Sequence, residues 1–196
     1  VAGYGDVGKG SAQALRAYAA LLLESSGAAP GGSRRSRGGR AAPPTVWCSW
    51  YYYADAFTQQ EAEANLAALQ QRRLPFDVFQ IDECWDQGFG EWYPNADWPD
   101  LAGLARRCRQ AGCVPGIWTC GLLVEPRARL GLHHPEWLLR RRGGGLVRFD
   151  MAGMANQVLD PTHPQVQRFL EETYRRLTEE YGFTYHKVDF TRAVVC

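Results

Sequence analysis

"FTYHKVDF", residues 183–190, follows a long helical pattern that ends at Gly182. Its alternating side chains predict a β-strand. Three earlier segments are also short and rich in β-branched and aromatic residues, which is typical of strands. These three segments are "TVWCSWYYY" at 45–53, "FDVFQID" at 76–82 and "CVPGIWTC" at 113–120.

Helical patterns separate the four predicted strands. An amphipathic pattern covers 58–73, with Thr58 in a position to cap its first turn. A second pattern begins near Asp100 and ends at Gly112, and a third covers 164–182. Strands that alternate with helices in this way predict an α/β fold with a parallel sheet.

Polar side chains follow the predicted strands at the point where each strand ends. Asp82 and Glu83 end the second, Trp118 lies near the end of the third, and Asp189 ends the fourth. In a (β/α)₈ barrel the carboxyl ends of the strands carry the chemistry. This edge of the sheet is therefore the candidate site.

Lys187 and Asp189 share one face of the last strand, because side chains alternate along a strand. A buried charge is costly unless it is paired or has a chemical role. Two interpretations remain open here: an ion pair at a strand end, or an active-site carboxylate held by a lysine.

The overall charge and composition exclude several functions. The formal net charge of the 196 residues is +1, so we expect neither nucleic acid nor an anionic membrane as a partner. No run of eighteen apolar residues is present, and the first ten residues do not resemble a signal peptide. The six cysteines fit no metal site and no disulfide framework, so we expect reduced thiols, a cytoplasmic location and no metal.

An ordered set of motifs from about residue 45 to 196 resembles the catalytic barrel of the α-galactosidase (melibiase) family. The resemblance covers roughly three quarters of the chain. The motifs are "WCSWYYY", "FDVFQIDECW", "GEWYPNADWPDLAGLARRCRQAGCVPGIW", "HHPEWLL", "VLDPTHPQV" and "YHKVDF".

The resemblance implies a retaining glycosidase that cleaves terminal α-galactosides. Asp189 falls on the family's catalytic nucleophile, and Lys187 falls on a lysine that contacts sugar hydroxyls. Asp82 and Glu83 fall on the sugar-binding acids. The positive charge of Lys187 favours an ionised Asp189, which suits a nucleophile.

The tryptophans and one departure complete the implied site. Trp118 matches a pocket tryptophan, and Trp85 lies in a matching motif, so both are predicted to contact the sugar. The family motif after the second strand reads Asp-Asp-Gly-Trp, whereas this chain has "DECW". Glu83 and Cys84 are therefore departures that bear on the sugar preference.

The resemblance places the acid/base aspartate on a later strand, beyond Asp189. The chain is therefore predicted to form about the first four β/α units of a TIM barrel, a fragment that is inactive alone. A non-catalytic carbohydrate-binding remnant is one alternative function. The residues do not separate hydrolysis from galactosyl transfer.

The glycine-rich start supplies another alternative. Gly3, Gly5 and Gly8 form a dinucleotide-type loop, and residues 1–18 resemble the NAD-binding loop of adenosylhomocysteinase. A short helix to residue 25 and a flexible linker at 26–44 are predicted to follow, and a βαβ unit is absent from this pattern. We therefore expect no cofactor for the glycosidase, with an NAD-binding fragment as the alternative.

Overall fold

The structure is a computed structural model that describes residues 43–151 and 153–194. The chain divides into two units, Val1–Pro43 and Pro44–Cys196, and the description below concerns the second unit. The predicted N-terminal helix, nearly all of the predicted linker and the glycine loop lie outside the described residues.

The described residues contain seven strands. Four of them form a parallel sheet in the order Val46–Cys48, Val78–Ile81, Val114–Thr119 and Tyr185–Val188. This arrangement confirms the predicted α/β fold with a parallel sheet. The seven strands are β1 (Val46–Cys48), β2 (Val78–Ile81), β3 (Val114–Thr119), β4 (Leu123–Val124), β5 (Arg148–Met151), β6 (Met154–Val158) and β7 (Tyr185–Val188).

The helices connect the strands of the parallel sheet much as the sequence predicts. Thr58 caps the helix Gln59–Gln71 through a capping box with Glu61, and the Asp100 carboxylate caps the helix Leu101–Gln110 by accepting from the Gly103 N–H at 2.8 Å. The five α-helices are α1 (Trp50–Tyr53), α2 (Gln59–Gln71), α3 (Leu101–Gln110), α4 (Arg129–His133) and α5 (Pro164–Arg175). A π-helical turn at Arg176–Glu180 extends α5, and 3₁₀ turns lie at Pro135–Trp137 and Thr191–Val194.

The first predicted strand is only partly right. It stops at Cys48, and Trp50–Tyr53 form the helix α1 instead. Ser49 ends the strand, because its carbonyl accepts from the Tyr53 N–H at 3.0 Å while its hydroxyl accepts from the Asp82 N–H at 2.9 Å. Tyr51 is 90% exposed, so its aromatic ring does not mark a strand packed into a sheet.

A small antiparallel sheet was not predicted. Strands β4, β6 and β5 pair in that order, between the end of β3 and the start of α5. β4 has only two residues and β5 reads "RFDM", so neither carries the long apolar run or regular alternation that identifies a strand. This sheet forms one wall of a cleft described below.

A cluster of aromatic rings forms much of the core. Trp85, Trp92, Trp98 and Trp118 are all at most 1% exposed, and the Trp47 ring stacks on Phe79 with 4.3 Å between centroids. Burying one large apolar side chain stabilises a fold by about 1.5–3 kcal/mol. The aromatic cluster therefore stabilises the end of the sheet near β2 and β3.

Within the described residues, no helix has the length and apolar character needed to cross a membrane.

Candidate active site

The site lies where the parallel strands β2, β3 and β7 end. In the sheet register Trp118 pairs with Lys187, and the Asp189 N–H donates to the Thr119 carbonyl at 2.8 Å. Asp82 follows β2 directly, so its carboxylate and that of Asp189 lie beyond the same edge of the sheet. The register thus brings predicted residues from distant parts of the chain together.

The Asp82 carboxylate is buried, with 1% of the residue exposed, and it is held by several donors. Its Oδ2 accepts from Gln80 Nε2 at 2.6 Å, from Lys187 Nζ at 2.9 Å and from Cys48 Sγ at 3.3 Å. Its Oδ1 accepts from the Glu83 N–H at 3.1 Å. These contacts replace the water that an ionised carboxylate loses on burial.

Lys187 connects the two predicted acids. Its Nζ lies 2.9 Å from Asp82 Oδ2 and 3.8 Å from Asp189 Oδ2. Burial works to lower the pKa of Lys187, but the hydrogen bond and charge of Asp82 outweigh burial and hold the pKa above its ordinary value. The ammonium therefore stays charged, and its closest partner is Asp82 rather than its neighbour on the strand.

Asp189 is held from two sides and still reaches solvent. Its Oδ2 accepts from Trp118 Nε1 at 3.3 Å, and its Oδ1 accepts from the Phe190 N–H at 2.8 Å. Its side chain is 39% exposed. Two N–H donors and a nearby cation therefore hold this carboxylate in one orientation while part of it stays open to solvent.

Glu83 differs electrostatically from Asp82, although the two are neighbours. Burial raises the pKa of the Glu83 carboxyl, and the charges of Asp82, Asp55 and Asp189 raise it further against the opposing charge of Lys187. Its carboxyl therefore holds a proton more readily than an exposed glutamate does.

Cys84 adopts an uncommon backbone conformation directly after Glu83. Its φ is 89°, in the left-handed region that favours glycine. This is the position at which the family motif in the sequence comparison has glycine. The Cys84 thiol donates to the Phe57 carbonyl at 3.2 Å, so a side-chain contact accompanies the strained backbone.

A hydrogen bond connects the two predicted tryptophans. Trp85 Nε1 donates to the Trp118 carbonyl at 2.8 Å, and Trp85 is fully buried. Trp118 is 1% exposed and contacts Asp189 through its own indole N–H. The structure thus places both residues beneath the site, and their direct contact with a sugar stays a prediction.

Two residues that support Asp82 were missed by the sequence analysis. Gln80 and Cys48 both contact the buried carboxylate, and Gln80 lies two positions before Asp82 on the same face of β2. Gly116 on β3 makes room between the strands, because a Cβ there would meet the Gln80 Cα and Cβ at 3.1 Å. The signal for Gln80 was available, since a polar residue inside an apolar strand needs a polar partner.

Two depressions adjoin the site. The first has a volume of about 270 Å³, and we call it the acidic cleft because Asp55, Glu83, Asp86 and Glu125 line it. The second has a volume of about 260 Å³, and its mainly apolar lining includes Asp189. The predicted sugar-binding acid Glu83 and the predicted nucleophile Asp189 therefore border different depressions in this structure.

Other predicted features are placed as follows. Gly3, Gly5 and Gly8 lie outside the described residues, as does Cys196. Cys48, Cys84, Cys108, Cys113 and Cys120 are free thiols. Among residues 43–151 and 153–194, no group of three or more His, Cys, Asp or Glu side chains is arranged to hold a metal ion.

Comparison with known proteins identifies the family of this chain. The model of the melibiase family matches residues 40–195, which is more than half of the chain. The chain belongs to the melibiase family. This membership confirms the resemblance found in the sequence.

Solved structures of an α-galactosidase have a similar fold. An α-galactosidase from Thermus thermophilus, in complex with p-nitrophenyl α-D-galactopyranoside, is 33% identical with a TM-score of 0.71. The match covers 81% of this chain and 33% of that enzyme. A structure of the Thermus enzyme with stachyose gives 32% identity and a TM-score of 0.73, covering 79% of this chain and 34% of the enzyme.

Curated relatives are more distant. A probable α-galactosidase G of Emericella nidulans is 28% identical over 167 residues, or 76% of this chain and 22% of the relative. An α-xylosidase of Lactiplantibacillus pentosus is 23% identical over 156 residues, or 75% of this chain and 20% of the relative. The chain thus spans about a fifth of the length of these two relatives.

Proposed function

We propose that this chain forms the galactoside-binding and nucleophile-bearing part of a retaining α-galactosidase. The observation that carries the proposal is the position of Lys187 Nζ, 2.9 Å from Asp82 and 3.8 Å from Asp189. One cation thus holds a buried acid, which is assigned to the sugar, next to a partly exposed acid, which is assigned to the reaction.

In the proposed reaction, an Asp189 oxygen attacks the anomeric carbon of a bound α-galactoside. The bond to the leaving-group oxygen breaks, that oxygen takes a proton from a general acid, and a covalent galactosyl ester forms on Asp189. Water then attacks the same carbon, gives a proton to the same acid/base residue and releases galactose. A free sugar acceptor in place of water gives galactosyl transfer.

Several contacts support the assignment of Asp189 as the nucleophile. Trp118 Nε1 and the Phe190 N–H fix both of its oxygens, while Lys187 supplies a nearby positive charge. A nucleophile must be ionised and oriented before the substrate arrives. The side-chain exposure of 39% also leaves room for a substrate to approach.

The sugar contacts are assigned to the second strand. Asp82 and Glu83 supply acceptors for galactose hydroxyls, and Lys187 supplies a donor. Trp118 and Trp85 support the floor of the site, with direct ring contact to the sugar as a further part of the proposal. The longer side chain of Glu83, compared with the aspartate of the family motif, changes its reach to the sugar hydroxyls.

We also propose that β1, β2, β3 and β7 are the first four strands of a (β/α)₈ barrel. Their order in the sheet equals their order in the chain, each pair is parallel, and the site residues follow the carboxyl ends of the strands. The acid/base residue is then expected on a later strand. For this reason we expect the 196-residue chain to bind α-galactosides without releasing the leaving group.

Two measurements on the full chain test the proposed function. Titration calorimetry is expected to detect binding of p-nitrophenyl α-galactoside and weaker binding of the corresponding α-glucoside. Absorbance is expected to show no release of nitrophenol. Absence of any preference for the galactoside would remove the assignment of substrate. Release of nitrophenol would overturn the predicted inactivity.

The assignment of Asp189 as the nucleophile is tested in a longer version of this protein, with the length of the Thermus enzyme. Asp189→Asn is expected to lower kcat by at least about 10³-fold, because an amide does not form the ester, while the dissociation constant for galactose changes little. Asp160→Asn is the matched control, since Asp160 caps an exposed turn through Thr162. Activity within tenfold of the parent in Asp189→Asn would exclude Asp189 as the nucleophile.

A further inference from the structure

The acidic cleft has an unbalanced charge. Asp55, Glu83, Asp86 and Glu125 line it, and no Lys, Arg or His is among its lining residues in the described chain. Burial is the main cause that raises the pKa of Asp86 and of Glu83. Repulsion from the charges of Glu125 and Glu83 raises the pKa of Asp86 further, and repulsion from Asp82 and Asp55 raises that of Glu83 against the opposing charge of Lys187. A bound positive charge would relieve this repulsion.

Two oxygens of the cleft residues also have no hydrogen-bond partner. They are Asp86 Oδ2 and Asn156 Oδ1, on residues that are 8% and 0% exposed. The other polar atoms of these side chains are used, since Asp86 Oδ1 accepts from the Gly88 N–H at 2.7 Å and Asn156 Nδ2 donates to the Met154 carbonyl at 3.2 Å. Buried acceptors without donors are uncommon, and both belong to residues that line the cleft.

The loop at Gly88 and Phe89 lets the carboxylates of Asp86 and Glu125 lie close to the backbone. Gly88 has a φ of 133°, and a Cβ at this position would meet Glu125 Oε1 at 3.0 Å. Glu125 Oε1 accepts from the Phe89 N–H at 3.1 Å, so the backbone fixes the carboxylates of Glu125 and Asp86 on either side of Gly88. The acceptors of the cleft are therefore held in place before any ligand binds.

The chemistry of the lining favours an ammonium group over other donors. A neutral hydroxyl would satisfy an orphan oxygen but would leave the repulsion among the carboxylates unchanged. A metal ion needs several ligands at one point, and no such group is found in the described residues. An ammonium has three donors and a positive charge, and Met151 and Met154 offer apolar surface to the carbon chain that bears it.

We propose that the acidic cleft binds a primary ammonium group of a ligand, between Asp86, Glu125 and Asn156. Its volume of about 270 Å³ is close to the lower end, about 300 Å³, of small-ligand sites. Glu83 lines the cleft and is also the assigned sugar acid. If the proposed function holds, the ammonium belongs to the part of the substrate attached to galactose, which makes the substrate class an amine-bearing α-galactoside.

The cleft is tested with two small probes that differ only in one group, 3-aminopropanol and 1,3-propanediol. Dissociation constants are measured on the full chain by NMR titration near pH 7.5, where the amine is protonated. The amine is expected to bind at least about tenfold more tightly than the diol, which corresponds to about 1.4 kcal/mol. Equal binding, or no binding of the amine, would overturn the proposal without reference to any variant.

Isosteric variants locate the binding site. Asp86→Asn and Glu125→Gln remove one charge each and keep the oxygen that accepts from the backbone, so we expect each to remove most of the preference for the amine. Glu179→Gln is the matched control, because Glu179 lies on the exposed turn after α5 beside Arg175. Circular dichroism checks that each variant is folded. An unchanged preference in both cleft variants would contradict the proposed site.

A second pair of ligands separates this proposal from the proposed function. They are the 3-aminopropyl and 3-hydroxypropyl α-galactosides. Tighter binding of the amino compound supports both proposals, and equal binding of the two supports only the galactoside site. Failure of both to bind would reject the galactoside site, while the propanol pair would still decide the ammonium site.

Discussion

Asp82 and Asp86 are buried carboxylates four residues apart, and their surroundings differ in one decisive respect. Asp82 has an ammonium at 2.9 Å and further donors from Gln80, Cys48 and the Glu83 N–H. Burial raises the pKa of Asp86 from 3.8 to about 7, backbone N–H donors oppose the rise, and one of its oxygens has no partner. The comparison shows that burial alone does not determine the surroundings of a carboxylate, because the donors that neighbouring residues supply decide whether its oxygens have partners.

The largest expected effect concerns the pH dependence of stability at Asp86. Between its ordinary pKa and about 7, the folded chain holds a proton on Asp86 that the unfolded chain releases. The free energy of unfolding therefore falls as pH rises through this window, by about 1.4 kcal/mol per pH unit from this group. Asp86→Asn removes this pH-dependent contribution. As the pH rises from about 5 to about 8, we therefore expect the free energy of unfolding of the variant to increase by about 2–4 kcal/mol relative to that of the parent.

Urea unfolding of both proteins across this pH range measures the difference. Using the difference between the two curves cancels the titration of groups that do not interact with Asp86 and any constant cost of the buried amide. A difference that does not change with pH would show that Asp86 is ionised in the folded protein throughout. Asp160→Asn, on an exposed turn, is expected to give a nearly flat difference.

The next effect concerns the cation that distinguishes the two carboxylates. Lys187→Met leaves the Asp82 charge buried without its ammonium, and we expect a loss of about 2–3 kcal/mol of stability. This is below the about 3–5 kcal/mol of a fully buried pair, because the Lys187 side chain is 35% exposed and water screens the pair.

A double-mutant cycle sharpens this measurement. Asp82→Asn in the Lys187→Met background removes the unpaired charge, so the double variant is expected to be more stable than Lys187→Met alone. Strictly additive losses would mean that Lys187 stabilises the fold through packing of its carbon chain rather than through Asp82.

The smallest effect concerns the turn that separates the two acids. Cys84 has a φ of 89°, so Cys84→Gly is expected to relieve backbone strain of about 1–3 kcal/mol. It also loses the thiol contact to the Phe57 carbonyl and increases the freedom of the unfolded chain, which leaves a net gain of about 1 kcal/mol. Thermal unfolding measures the gain, with Cys113→Gly, at a residue without positive φ, as a control that is expected to lose stability. A lower Tm for Cys84→Gly would mean that the thiol contact outweighs the strain.

The parallel sheet was predictable because its strands carry local signals. Apolar runs such as that in β2 are bounded by acids, glycine or proline, and the helices carry caps at Thr58 and Asp100. Helix α1 and the sheet of β4, β5 and β6 carry no comparable signals. Their structure depends on contacts with distant segments, such as the Ser49 hydroxyl that accepts from the Asp82 N–H.

One contact at the candidate site was predictable from local sequence, whereas the contacts between distant strands were not. The face shared by Lys187 and Asp189 follows from strand alternation alone. The closer contact of Lys187 with Asp82 depends on the order β2-β3-β7, which brings two distant segments to either side of β3. The burial of Asp86, which is 8% exposed, was not predictable either, since aspartate is usually exposed.

The aromatic core beneath the site gives it an optical signature. Trp92 lies 6.2 Å from Trp85 and 6.3 Å from Trp118, measured between ring centroids, and Trp118 also donates to Asp189. Indole rings at this separation couple their electronic transitions, so the chain is expected to show strong near-ultraviolet circular dichroism. A ligand that displaces the Asp189 carboxylate would change the surroundings of the Trp118 indole, and tryptophan emission would then report binding without a label.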